Sequence, residues 1–386
     1  MIRKSRIQSP EAVDSLVVFC NRVWEQKEVP EQWHESVVAC LFKKGDVADC
    51  ANYRPISLQC VIYKAFASVL LQRLKDAGAE QRIWHTQFAF KSKSGTREAL
   101  FAMRRIIENI HAAKDGPGIL LALDWAKAFD CISTEGMLHA LARVGLPPAF
   151  IDMVRAIYAD RSFQVRDSGR MSDVHAQRFG ILQGCPLSPF LFSILMTVLI
   201  RDAKDKLHEQ FGADRFGALG LDEILYADDT LLMGCDDEVL QAYMQHISDC
   251  GTEYGLSFHG TKLESMVVNC TADLVNTAGD VIPQKPALKY LGALLSSEGC
   301  DTSEISRRIG MARHELDLLK KCWSHTSLSK TGKCDIYIYI GALCSASCCM
   351  ALSQPLYMPM TNASWTAFMQ IVAVRYFASA AHTLAG

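Results

Sequence analysis

Two adjacent aspartates, Asp228 and Asp229, sit between two apolar runs in ILYADDTLLM, residues 224–233. Apolar runs of this length around turn residues predict two short buried strands joined by a tight loop, whose unusual backbone angles aspartate tolerates. Such a stretch is compatible with a plain β-hairpin turn. Short acidic turns are common, but the stretch is also compatible with a cation site, because neighbouring carboxylates repel unless a cation lies between them, and hard ions such as Mg²⁺ take oxygen ligands. A third carboxylate would decide between the two. GILLALDWAKAFDCI, residues 118–132, supplies a candidate: Ile119 to Leu123 follow the turn signal Asp-Gly-Pro-Gly and predict a buried strand, with Asp124 at its C-terminal end. If that strand lies beside the hairpin, Asp124, Asp228 and Asp229 meet and can hold two metal ions, the arrangement that stabilises attacking and leaving oxygens in nucleotidyl transfer. Asp130 lies further along and is expected to cap or brace the next helical segment, outside the metal site.

The next element with positioning power is FGILQGCPLSPFLFSILM, residues 179–196. Gly180, Gly184, Pro186 and Pro189 predict a sharp loop that admits a ligand close to the backbone, and Gln183 offers both a donor and an acceptor. From Phe190 onward the run predicts a buried helix with proline in its first turn; taken alone, the stretch is also an ordinary entry into a core helix.

With 386 residues, 49% of them hydrophobic, the chain can build a large core with more than one lobe. Its first residues, MIRKSRIQSPEAVDSL, have no apolar run behind the basic residues, so neither a secretory signal nor a membrane anchor is expected, and the 15 cysteines are expected to stay reduced inside a cell. The net charge of −2 does not announce a nucleic-acid binder. Basic residues are nevertheless clustered, at Lys43 and Lys44, Lys91 to Arg97, Arg104 and Arg105, Arg307 and Arg308, and Lys320 and Lys321, and a neutral total can hide a basic groove. Each pair alone is also compatible with a solvated helix face. IYIYIGALCSASCCMAL, residues 336–352, falls short of a membrane span and is read as buried helix or strand.

In this order the blocks resemble the reverse transcriptases of non-LTR (LINE-type) retrotransposons, over about residues 29 to 344. VPEQWHESVVACLFKKGDVADCANYRPISLQCVIYKAFASVLLQRL (29–74) and QFAFKSKSGTREALF (87–101) resemble the family's fingers blocks. LALDWAKAFD, FGILQGCPLSP, YADD and GLSFHGTKLESMVV (255–268) resemble four successive palm motifs. LKYLGALLSSEG (288–299) and SEISRRIGMARHELDLLKKCW resemble the palm-to-thumb junction and the thumb helix.

The resemblance implies an α+β right-hand polymerase fold whose antiparallel palm sheet is covered by helices. Its expected divisions are an N-terminal extension (1–28), fingers (29–115), palm with segments contributing to the fingers (116–285), thumb (286–345) and an unassigned tail (346–386). It implies an RNA-directed DNA polymerase working on an RNA template, a DNA primer and dNTPs with two Mg²⁺ ions, for which Mn²⁺ is a substitute. Asp124 and Asp228 would be the principal ligands and Asp229 an additional ligand or charge. Phe129 matches the aromatic under the sugar that excludes a 2′-hydroxyl, and a core Phe is the plain alternative. Gln183 and Gly184 match the nucleotide-facing pair. Arg54 and Lys64 resemble fingers cations near the triphosphate or template, and an ion pair at the surface is the alternative. Lys262 would contact the triphosphate or donate a proton to pyrophosphate, or else face solvent. Lys91, Lys93 and Arg97 would grip the template backbone.

Two positions depart from the family pattern: Ala89 stands where glycine is usual, and His259 where asparagine is usual. Nothing resembles an endonuclease or a zinc knuckle, and Cys344, Cys348 and Cys349 lack a ligand-spaced partner set, so buried thiols are expected. A fragment of a longer element, or a decayed copy that binds nucleic acid without turnover, is therefore the main competitor. An RNA-making polymerase and a structural or membrane-associated protein are weaker ones. Nuclear action follows from the family alone, without a clear basic targeting run.

Overall fold

The computed structural model describes residues 10–113, 116–167, 169–212, 222–299 and 302–325. The run 336–352, the cysteines at 344, 348 and 349 and the tail from 346 lie outside the described residues. The described residues start with α1 (Pro10–Gln26) and the single turn α2 (Glu31–His34), whose Trp33 packs against Tyr63 and Phe66. The hairpin β1 (Glu35–Phe42) and β2 (Tyr53–Leu58) follows, pairing Val37 with Leu58 and Leu41 with Arg54. Next come α3 (Val61–Asp76) and α4 (Thr96–Ala112). α4 buries Ala99, Leu100, Met103, Ile106, Ile107 and Ile110, the three-and-four spacing that gives a helix one apolar face.

β3 (Gly118–Leu123) leads into the short α5 (Ala128–Cys131), then α6 (Thr134–Arg143) and α7 (Pro148–Tyr158). Three short strands, β4 (Ser162–Asp167), β5 (Arg170–Met171) and β6 (His175–Ala176), precede α8 (Ser188–Phe211). α8 is buried on nearly all sides from Phe190 to Ile200, with Pro189 in its first turn as expected. The hairpin β7 (Glu223–Tyr226) and β8 (Asp229–Gly234) is followed by α9 (Asp237–Glu253), β9 (Glu264–Val268), the hairpin β10 (Ala287–Tyr290) and β11 (Ala293–Ser296), and α10 (Thr302–His325).

The central sheet runs β7-β8-β3-β9 and every pair in it is antiparallel. β3 shows why its sequence is continuously apolar rather than alternating. Ile119, Leu121 and Leu123 face the core built with α8 and α9, while Leu120 faces a second core built with α4 and the β10-β11 hairpin. A strand covered on both faces has no polar side to display. Each such leucine contributes about 1.5–3 kcal/mol through burial, so the sheet's position between two helical layers is strongly specified. A second sheet, β2-β1-β4-β5 with β6 on β4, contains one parallel pair, β1 with β4. The α+β class with an antiparallel sheet covered by helices thus holds, and the helix expected over 303–323 is present as α10. Among the described residues, no helix is long and apolar enough to cross a membrane.

Candidate active site

β3 and β8 pair through Leu123 and Thr230, so Asp124 stands one position beyond the last rung, beside Asp229 at the start of β8. The indole of Trp125 donates to the Thr230 hydroxyl at 3.1 Å, and His259 N–H donates to the Asp124 carbonyl at 2.7 Å, which holds the chain as it leaves β3. Tyr226 and Asp229 close the β7-β8 hairpin, leaving Ala227 and Asp228 as its two turn residues. The backbone strain falls on Ala227, at φ +57°, and not on an aspartate as the turn chemistry predicted. An alanine in the left-handed region costs roughly 1–2 kcal/mol, so its surroundings must hold it there.

The three carboxylates feel one another. Burial, followed by the charge of Asp124, raises the Asp228 carboxyl, against which the charge of Arg54 acts. Asp229 is pushed up to about 6 by loss of solvation, then by Asp228 and Asp124. Asp124 forms an ion pair with Lys262, Nζ to Oδ2 at 3.2 Å. Among the described residues no three His, Cys, Asp or Glu side chains converge into a ready-made metal cage. Asp124, Asp228 and Asp229 nevertheless offer carboxylate oxygens of the kind hard divalent ions take, and a cation beside them would offset the neighbouring charge that helps raise Asp228 and Asp229.

Behind the triad, the 179–184 loop is stitched to the two neighbouring segments. Gly180 N–H donates to Ile132 O and Ile181 N–H to Phe129 O, and Ser57 N–H donates to Gln183 O at 2.8 Å. A Cβ at Gly184 would lie 2.8 Å from Ser57 O and one at Gly180 2.7 Å from Asp130 O, and both glycines have positive φ, so these two positions exclude side chains. Gln183 Nε2 donates to Asp130 Oδ1 at 2.8 Å. Asp130 therefore braces the loop rather than capping a helix; the cap of α6 is Ser133, whose hydroxyl accepts from Gly136 N–H. Burial raises the Asp130 carboxyl in spite of Gln183, Lys127 and Lys43. Phe129 stacks on Phe192, ring centres 4.6 Å apart.

The other predicted residues separate into two groups. Arg54, exposed on β2, is within electrostatic reach of Asp228. Lys64, in the first turn of α3, makes no ion pair with the triad. Lys91 and Lys93 occupy the loop into α4, and Arg97 lies in its first turn. There burial lowers the Lys91 pKa, with Glu80 opposing, Lys93 is exposed, and Arg97 pairs with Glu98 at 3.0 Å.

Three positioning residues escaped the sequence. Glu223, 0% exposed, accepts from Trp84 Nε1 (2.6 Å), Thr86 Oγ1 (2.8 Å) and Tyr243 OH (3.0 Å) and pairs with Lys204 at 3.0 Å. An acid inside an apolar strand was the available signal. Arg161, 3% exposed, donates to Gly180 O at 2.7 Å and lies over the Tyr158 ring. Tyr290 OH donates to Ile224 O at 3.1 Å, joining the β10-β11 hairpin to β7. The last two carry no local signal, because their partners are remote in sequence.

Residues 42–295 match the family model described as reverse transcriptase (RNA-dependent DNA polymerase). The chain belongs to the reverse transcriptase family. Among relatives of this reverse transcriptase domain, it is 27% identical to the Retrovirus-related Pol polyprotein from type-1 retrotransposable element R2 of Nasonia vitripennis, over 64% of this chain and 23% of that protein. It is 25% identical to the RNA-directed DNA polymerase from mobile element jockey of Drosophila melanogaster, over 76% of this chain and 32% of the relative. These are non-LTR retrotransposon proteins, as the motif order implied. The chain spans about a quarter to a third of the length of these curated relatives. A telomerase from Candida Tropicalis in complex with a fragment of telomeric RNA is 12% identical, over 73% of this chain and 47% of that one, with a TM-score of 0.48.

Proposed function

We propose that this reverse transcriptase domain synthesises DNA on an RNA template, adding dNTPs to a primer 3′-hydroxyl as the polymerase core of a retrotransposon-type element. The observation that carries the proposal is the register that sets Asp124 beside the Asp228–Asp229 hairpin, together with the raised carboxyls of Asp228 and Asp229. In the proposed division, residues 29–115 are fingers, 116–285 palm and 286–345 thumb. Two Mg²⁺ ions, or Mn²⁺ in their place, held by Asp124 and Asp228 with Asp229 beside them, would supply activation of the 3′-hydroxyl and neutralisation of the triphosphate.

The chain's own residues do the rest by positioning and charge. Phe129, backed by Phe192, presents a ring that a ribose 2′-hydroxyl would collide with, which favours deoxynucleotides. The 183–184 backbone, held by Ser57 and Asp130, forms a rigid wall for the nucleotide. Arg54 adds positive charge opposite Asp228, where the triphosphate would lie. Lys262, paired to Asp124, places an ammonium at the site that would be able to protonate the departing pyrophosphate. Lys93, exposed in the loop before α4, grips template phosphates with Lys91 and with Arg97 in the first turn of α4, and Lys64 adds charge at the start of α3.

Primer extension on an RNA template with dNTPs and Mg²⁺, comparing the wild type with Asp228→Asn, tests the proposal. Extension by the wild type and none by the variant is the expected result. A soluble protein that binds template and extends nothing in Mg²⁺ or Mn²⁺ would overturn it.

A further inference from the structure

A left-handed alanine immediately before Asp228 needs a partner to hold it, and a side chain from a distant segment supplies one. Gln87 is 1% exposed. Its Oε1 accepts from Ala227 N–H at 2.9 Å and from Ala89 N–H at 3.0 Å, and its Nε2 donates to Ala227 O at 3.3 Å. Both backbone polar groups of Ala227 are thus taken by one carboxamide. On either side, Leu225 N–H donates to Thr86 O at 3.0 Å and Phe88 N–H donates to Leu225 O at 2.9 Å, so residues 86–88 run along β7 as a short parallel partner. Where the backbone of β7 bends away into the turn, that ladder cannot continue through main-chain groups, and the Gln87 side chain supplies the next rung.

We propose that Gln87 is the positioning residue for Asp228: by holding the N–H and C=O of Ala227 it fixes the peptide planes on both sides of that residue, the second of which leads into Asp228, and so aims that carboxylate at Asp124. Only an amide of this length fits the role. The acceptor must serve two N–H groups while the donor reaches a carbonyl on the same residue. Asparagine is one methylene too short, and glutamate would face the Ala227 carbonyl with a second oxygen and set another negative charge beside the triad. Tyr290 secures the same hairpin from the opposite direction, with its hydroxyl 3.1 Å from Ile224 O and 3.4 Å from Asp229 O. The hairpin is therefore gripped at both strands, and the turn itself is held by Gln87.

The kinetic arm of the test rests on the polymerase proposal above; a second arm does not. Gln87→Met keeps the volume and removes every hydrogen bond, and Gln87→Glu keeps the acceptor alone. In primer extension, Gln87→Met is expected to lower kcat by about 10- to 100-fold, the scale on which small misplacements act. The KM for dNTP should stay within about threefold, the Mg²⁺ needed for half-maximal rate should rise, and template affinity should not change. A fall in rate matched by a fall in folded fraction, or wild-type kinetics, overturns the proposal. Independently of turnover, hydrogen exchange read at residues 226–229 is expected to lose at least tenfold protection in Gln87→Met, while β3 and α8 keep theirs. Unchanged protection at 226–229 overturns the proposal even if the wild type proves inactive. Lost protection with an inactive wild type supports the positioning role and assigns the failure to the polymerase proposal alone.

Discussion

Lys262 and Asp124 form an ion pair across the mouth of the candidate site, Nζ to Oδ2 at 3.2 Å, with side chains 60% and 42% exposed. Pairs this open contribute little to stability, about 0–1 kcal/mol. Lys262→Leu should therefore melt within a degree or two of the wild type while its extension rate falls by roughly 10²-fold, in the range for loss of a general acid. Thermal melting alongside single-turnover extension checks this. A rate unaffected by the substitution would leave the lysine as a surface charge.

Phe129 rests face to face on Phe192, which backs the ring in its proposed place under the sugar. Phe129→Val opens that space and should raise incorporation of ribonucleotides relative to deoxynucleotides by at least about tenfold, since a steric wall is lost. Competition between rNTPs and dNTPs on one primer-template measures the ratio. An unchanged ratio would mean that the ring serves only the core.

Glu223 is the buried hub at which Trp84, Thr86, Lys204 and Tyr243 meet. Burial works against the charge on Lys204, but Glu223 and Asp222 outweigh it and hold the lysine's pKa above its usual value. Removing the carboxylate leaves that ammonium to Asp222 alone, at 2.9 Å, and leaves the buried donors of Trp84, Thr86 and Tyr243 without their acceptor, so Glu223→Ala should cost about 3 kcal/mol or more, and the isosteric Glu223→Gln less. Urea unfolding with unchanged m-values would give both numbers.

The acid site sets a pH dependence whose sign is fixed by its direction. Asp229 has its pKa raised in the fold to about 6. Protonation is therefore favoured by folding, and the penalty for charging this group is absent below about pH 4, the unfolded value, and complete above about pH 6. Without divalent ions the protein should lose stability as pH rises through that window, and Asp229→Asn should flatten the loss. The raised carboxyls of Asp228 and Asp130 act in the same sense. Melting curves between pH 4 and pH 7.5 in chelator, repeated with Mg²⁺, read the effect; a cation that relieves the repulsion should restore stability at the upper end.

Much of the architecture was legible without coordinates. The unbroken apolar run of β3, the turn between β7 and β8 and the apolar first half of α8 are local patterns, and local patterns are written in the periodicity of neighbouring side chains. The same holds for the identity and order of Asp124, Asp228 and Asp229, because a carboxylate at a strand end or a tight turn is a short-range feature. What the chain order could not convey is which distant polar groups answer one another. Asp130 takes Gln183 instead of a helix end, Lys262 takes Asp124, Gln87 takes Ala227, and Glu223 gathers donors from three other elements. Each of these depends on the register between segments far apart in the chain, and a hydrogen bond made or lost there turns on less than an ångström of placement. Sequence alone determined that three acids would lie at the ends of buried strands. The tertiary structure decided that the strain of their turn falls on Ala227 and that a buried glutamine holds it.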